Sequence, residues 1–137
     1  MPLIRKEKVF PLYAQIEFGD ALAQDYPEWV TGEEAVLFTT QTIVVATRED
    51  RFGDVEVEVW KEQVGTEVRG TQILEIEIQL TGETAHFGSF VGGQLYEVPL
   101  SRGWHKVRVP VEPDGERPSV VRFVLHSVDA EQETDGT

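Results

Sequence analysis

The chain has 137 residues, 40% of them hydrophobic, with 25 acids against 12 bases and a formal net charge of −13. A chain of that length buries a core of its own without disulfides or a structural metal, and the absence of cysteine excludes thiol catalysis. The acidic balance excludes a nucleic-acid or anionic-membrane surface, since phosphates demand an excess of Lys and Arg, and favours encounter with a basic protein.

The first residues, MPLIRKEKVF, carry charges and no apolar run of signal-peptide length. No later stretch reaches the roughly 18 apolar residues of a membrane helix, so a cytoplasmic location is expected. VFPLYAQIEF (9–18) reads as the first strand, with Pro11 placing its start at an edge or a bulge. The segment 20–34, DALAQDYPEWVTGEE, has room only for a turn at Ala21–Gln24 before Pro27. A connection this long is often functional or packed over a sheet end.

AVLFTTQTIVVATR (35–48) divides near Thr40 and Gln41 into two short strands. DVEVEVW (54–60) and ILEIEIQL (73–80) alternate apolar and acidic residues strictly, as half-buried strands do. A short strand at Thr84–Phe87 leads into the glycine-rich FGSFVGG, which reads as a hairpin connection. QLYEVPL (94–100), WHKVRVPV (104–111) and SVVRFVLHSV (119–128) complete the series. The last of these is apolar on both faces and belongs at a sheet centre.

Eight or nine short strands with turn residues between them predict an all-β protein, an antiparallel β-sandwich over residues 1–128. The acidic tail 129–137 is expected to fray. The predicted core takes Leu12, Ala14, Ile16 and Phe18, with Val55, Val57 and Val59, and Leu74, Ile76, Ile78 and Leu80. Val107, Val109, Val111, Phe123 and Leu125 join it.

No catalytic motif is present: no GxSxG, HExxH or Walker loop, so no enzyme activity and no cofactor are expected. His86, His105 and His126 each fall on a predicted strand, with His105 in phase with Val107 and Val109. They read as ordinary strand histidines rather than as a metal site, which needs three or four converging ligands. REDRFGD (48–54) has the oxygen density of a calcium loop, but Arg48 and Arg51 among the acids fit a turn with internal ion pairs. Trp29 is expected to plug one end of the core, while Trp60 and Trp104 face outward.

The segment 54–83 holds Asp54, Glu56, Glu58, Glu62, Glu67, Glu75, Glu77 and Glu83 against Lys61 and Arg69. Alternation sends Glu56, Glu58 and Trp60 to one outer face, and Glu75 and Glu77 to a neighbouring one. Like charges facing across strands cost a few tenths to about 1 kcal/mol per pair, so something must neutralise them. Lys106, Arg108 and Arg122 are internal candidates, and a basic protein partner is the external one, steered by charge. In that reading Glu56, Glu58, Glu75 and Glu77 are electrostatic contacts and Trp60 is the apolar anchor.

VFPLYAQIEF, the loop with Trp29 and Gly32, AVLFTT and IVVAT, then EIEIQLTGETAHFGSF and LYEVPLSRGWHKVRV, together resemble the competence protein J family of DNA-entry nuclease inhibitors. The resemblance spans most of residues 9–111. It implies an acidic cytoplasmic β-sandwich that binds and restrains a nuclease. The expected function is therefore a non-enzymatic inhibitor or immunity-type partner of a basic nuclease or toxin. A module binding carbohydrate or calcium through loops at one end of the sandwich stays open as the alternative. A homo-oligomer also stays open, although like-charged faces oppose self-association.

Overall fold

The computed structural model describes residues 3–63, 67–113 and 117–128. In chain order they form β1 (Leu3–Val9), a 3-10 turn (Leu12–Ala14), β2 (Gln15–Asp20), β3 (Val36–Phe38) and β4 (Thr42–Ala46). A second 3-10 turn (Asp50–Phe52) precedes β5 (Val55–Lys61), β6 (Thr71–Leu80), β7 (Thr84–Ser89), β8 (Gln94–Pro99), β9 (Gly103–Glu112) and β10 (Val120–Ser127). They build two five-stranded sheets, ordered β1-β5-β10-β9-β6 and β3-β4-β2-β7-β8. The sandwich read from the alternation is the observed architecture.

The inner faces meet through the predicted valines, Val55, Val57 and Val59 of β5 and Val107, Val109 and Val111 of β9, all buried. Phe18 of β2 and Phe123 of β10 stack across the two sheets at 4.8 Å between ring centroids. β10 lies third in its sheet, as its two apolar faces require. Leu74 and Ile76 are only partly buried, because β6 is an edge strand.

Three features depart from the sequence reading. The strand expected over 9–18 is instead the last residue of an unexpected strand β1, a turn and the start of β2: the chain leaves the first sheet after Val9, turns at Leu12–Ala14, and enters the second sheet at Gln15. Leu12 and Ala14 therefore stand outside the core. β10 pairs parallel with β5, so the sheet is not wholly antiparallel. Finally, β5 and β6 are not neighbours, since β10 and β9 lie between them. In β9, Pro110 sits opposite Gln72, where β6 shifts register before Leu74. A proline has no N–H for the ladder, and a bulge absorbs the missing bond.

β1 closes one side of the sandwich with charge as well as hydrocarbon, since Val9 at its end is buried in the core. Its inward positions carry Arg5 and Glu7, which pair with each other at 2.9 Å. Arg5 also donates to the Glu97 carbonyl at 2.9 Å and lies 5.0 Å from the Tyr96 ring centroid. Inward-pointing charges of this kind protect an edge from strand addition. Among the described residues no helix is long and apolar enough to cross a membrane. The expected frayed tail, 129–137, lies outside the described residues.

Candidate functional site

Cross-strand register fixes which side chains share the outer face of the first sheet. Glu58 lies opposite Lys6 of β1 and Arg122 of β10, and Trp60 lies opposite Val124. Val124 in turn faces Arg108 of β9, and Glu75 and Glu77 of β6 face Arg108 and Lys106. The structure thus brings Glu56, Glu58, Trp60, Glu75 and Glu77 to one face of one sheet. The cations named as internal candidates lie on the strands between them.

Neutralisation is uneven across that face. At its centre Arg122 donates from Nε to Glu58 Oε1 at 3.0 Å and from Nη1 to Glu112 Oε2 at 2.5 Å. Trp60 Nε1 donates to the same Glu58 oxygen at 2.8 Å. Burial alone would push the Glu58 carboxyl up, but the bonds from Trp60 and Arg122 outweigh it and hold the pKa below the usual value. Burial likewise opposes the charge on Arg122, and its two carboxylate partners more than restore it. Glu58 is only 5% exposed. It reaches the surface through Trp60, whose indole it orients.

The chain itself covers part of this face. β5 and β6 stand two strands apart, and the described ends of the segment that joins them lie against β9 and β10. Glu62 at its start meets Arg108 Nη2 at 3.0 Å, and the Arg69 carbonyl at its end accepts from Arg122 Nη1 at 2.9 Å. Gly70 then enters β6 with φ 120°, where a Cβ would stand 2.8 Å from the Val111 carbonyl oxygen. Toward the edges pairing loosens. Glu56 meets Lys6 at 3.2 Å, and Glu75 is 3.9 Å from Lys106. Glu77 is exposed on the edge strand, with the same Lys106 opposite it in register.

The outer face of the second sheet differs. Trp29 does not plug the core: with the 21–35 connection it lies over Gln15 and Val44, outward residues of β2 and β4. Its Nε1 donates to Gln15 Oε1 at 2.9 Å, and Gln15 Nε2 donates to Glu17 Oε1 at 2.7 Å. Glu17 Oε2 accepts from the Phe90 N–H at 3.2 Å. Glu17 is 3% exposed, and burial pushes its carboxyl up, against the lowering effect of these donors. Nothing local signals this burial, because strand alternation merely turns Glu17 outward and the covering loop comes from elsewhere.

Two carboxylates secure the ends of that loop. Asp20 accepts from Thr81 Oγ1 at 2.7 Å and Thr81 N at 2.9 Å, fastening β2 to the β6–β7 turn. Burial would raise its pKa, but the Thr81 bonds prevail and lower it. Glu34 accepts from the Thr31 and Gly32 N–H groups at 2.7 and 3.0 Å. The Thr31 N–H leads the donors that bring its pKa down to about 2. Beside Trp29, Tyr13 and Ala14 hold φ of 61° and 56°. Left-handed backbone at a non-glycine residue costs of order 1–3 kcal/mol. Core burial of the ring does not offset it, because Tyr13 is 73% exposed.

The histidines do not share a face. His86 lies outward on β7, 3.9 Å from Glu97, whereas His105 is buried with Nε2 2.7 Å from the Ser101 carbonyl, and His126 turns outward on β10. Among the described residues no group of three or more His, Asp or Glu gathers to hold a metal. The 48–54 turn has the internal pairing read from its sequence. Arg51 meets Glu49 at 2.7 Å, and Arg48 donates to the Asp54 carbonyl.

The chain has the fold of ComJ. The crystal structure of ComJ from Bacillus subtilis, an inhibitor of the DNA degrading activity of NucA, matches with a TM-score of 0.69 at 12% identity, covering 92% of this chain and 97% of ComJ. The product of crocagin biosynthetic gene J matches with a TM-score of 0.56 at 10% identity, over 90% and 95% of the two chains. No protein-family model and no curated protein sequence matches. The resemblance read from the strand pattern is therefore a resemblance of fold.

Proposed function

We propose that the chain is a non-enzymatic inhibitor-type protein that binds a basic protein, a nuclease or toxin, through the outer face of its first sheet. Glu56, Glu75 and Glu77 act as electrostatic contacts, Trp60 is the apolar anchor, and Glu58 holds the Trp60 indole in place. The observation that carries this reading is the edge at β6, where exposed Glu75 lies 3.9 Å from Lys106 and exposed Glu77 faces the same lysine across the strands, on a chain of net charge −13. Supporting it, ComJ combines this fold with inhibition of a DNA-degrading enzyme.

Such a patch speeds encounter by attracting a positive surface and acts less on the lifetime of the complex. The test has two stages. The immobilised chain is used at low ionic strength to capture proteins from its source cells, and each captured protein is assayed for DNA degradation with and without the chain. The combined Glu56→Gln, Glu75→Gln and Glu77→Gln variant is then compared in association kinetics. The on-rate should fall about tenfold at low salt and lose most of its salt dependence. An unchanged on-rate would remove this face from the interaction.

A further inference from the structure

The cleft over the second sheet is a separate feature. It has a volume of about 560 Å³ and is lined by Tyr13, Gln15, Glu28, Trp29, Val44 and Val91, together with Pro27. Its walls come from three places in the chain: the strained turn before β2, the 21–35 connection and the glycine-rich hairpin after β7. The bonds from Trp29 through Gln15 and Glu17 to the Phe90 N–H tie the floor to two of those walls. Across the same hairpin Gly88, at φ 139°, brings the chain so near β8 that a Cβ would lie 2.0 Å from the Gln94 carbonyl oxygen. Val91 is left 61% exposed on the rim.

The lining combines two aromatic side chains with a single charged group, the Glu28 carboxylate, and contains no cation. An anionic occupant is opposed by Glu28 and by the net charge. A purely apolar one would take water from Glu28 without replacing it. A guanidinium suits all the groups together: it is planar, weakly hydrated, stacks on aromatic faces and pairs with a carboxylate through two N–H groups. We propose that this cleft receives an arginine side chain presented by a protein partner, stacked against Trp29 and Tyr13 and paired with Glu28. The inference draws on the protein-binding reading only for the source of the arginine. The preference of the cleft for a guanidinium is testable without a partner.

The full chain is labelled with nitrogen-15, and the Trp29 indole N–H signal is identified by its loss in Trp29→Phe. It is titrated with acetyl-Gly-Arg-Gly-amide and with the same peptide carrying citrulline, lysine or leucine in place of arginine. The Trp29 signal should shift saturably with the arginine peptide while that of Trp60 stays still. Citrulline, which keeps the shape and loses the charge, should bind about tenfold more weakly. Glu28→Gln and Tyr13→Ala should each weaken the arginine peptide severalfold. The proposal is overturned by no saturable shift at Trp29, by citrulline, lysine or leucine binding as tightly as arginine, or by an unchanged affinity in Glu28→Gln. Failure of the β6 carboxylates to affect association leaves this result untouched, and the converse also holds.

Discussion

The two sheets each hide a glutamate on their outer face and treat it in opposite ways. Glu58 of the first sheet is buried beneath Arg122 and receives Trp60 Nε1–H, so its charge is stabilised. Glu17 of the second sheet receives only neutral donors, from Gln15 and the Phe90 main chain, and burial pushes its pKa up. One carboxylate belongs to a network of fixed charges, the other to a network of amides closing a cleft. What a buried acid contributes thus depends on what covers it: strand side chains, one of them a cation, over Glu58, and neutral amides over Glu17.

The largest expected effect comes from breaking the first arrangement. Arg122→Met leaves Glu58 buried without its cation and should cost about 3–5 kcal/mol in chemical denaturation. Adding Glu58→Gln to the variant should recover part of that loss, since the uncompensated charge is then gone. A single-variant cost under about 1 kcal/mol would mean that Trp60 and water satisfy Glu58 unaided.

Acid titration sharpens the contrast because the two glutamates have opposite signs. Glu58 has a lowered pKa in the folded state, so its contribution is present above the unfolded value of 4.5 and is lost as pH falls through the depressed one. Glu17 has a raised pKa, so the folded state binds its proton more tightly than the unfolded state does. Its effect is a loss of stability as pH rises from 4.5 through the raised value. Glu17→Gln should abolish that falling limb and leave the acid-side loss due to Glu58 in place. Stability of the two proteins measured from acid to neutral pH checks this; parallel curves would refute it.

Much of the frame was legible because period-2 alternation is a backbone property that survives any tertiary context. Val55, Val57 and Val59 pointed inward without further information, and the break near Thr40 and Gln41 was written in small polar residues. β1 was missed because Arg5 and Glu7 occupy its inward positions, and a charged pair cancels the apolar signal that alternation offers. Periodicity also says nothing about which strands are neighbours, so the parallel partnership of β5 and β10, and the two strands separating Glu56 from Glu75, had to come from the structure. The cleft was hidden for a third reason. One of its walls, the hairpin with Val91, lies far along the chain from Tyr13, Gln15 and Trp29, and Pro11 was the one local sign of an unusual turn.

The smallest effect lies at the β6 edge. Glu75 is 44% exposed and 3.9 Å from Lys106, a distance and exposure at which solvent screens most of the attraction. Glu77 faces that lysine across the strands. Glu75→Gln with Glu77→Gln should therefore change stability by less than about 0.5 kcal/mol, and the sign should favour the variant slightly at low salt, where the two like charges repel most. A denaturation midpoint that falls well beyond this would make the pair structural and explain its presence without any partner. A midpoint that holds while association with a basic protein slows separates the two roles. Carboxylates that contribute nothing to folding and yet stand exposed together on one edge strand are then retained for what they attract.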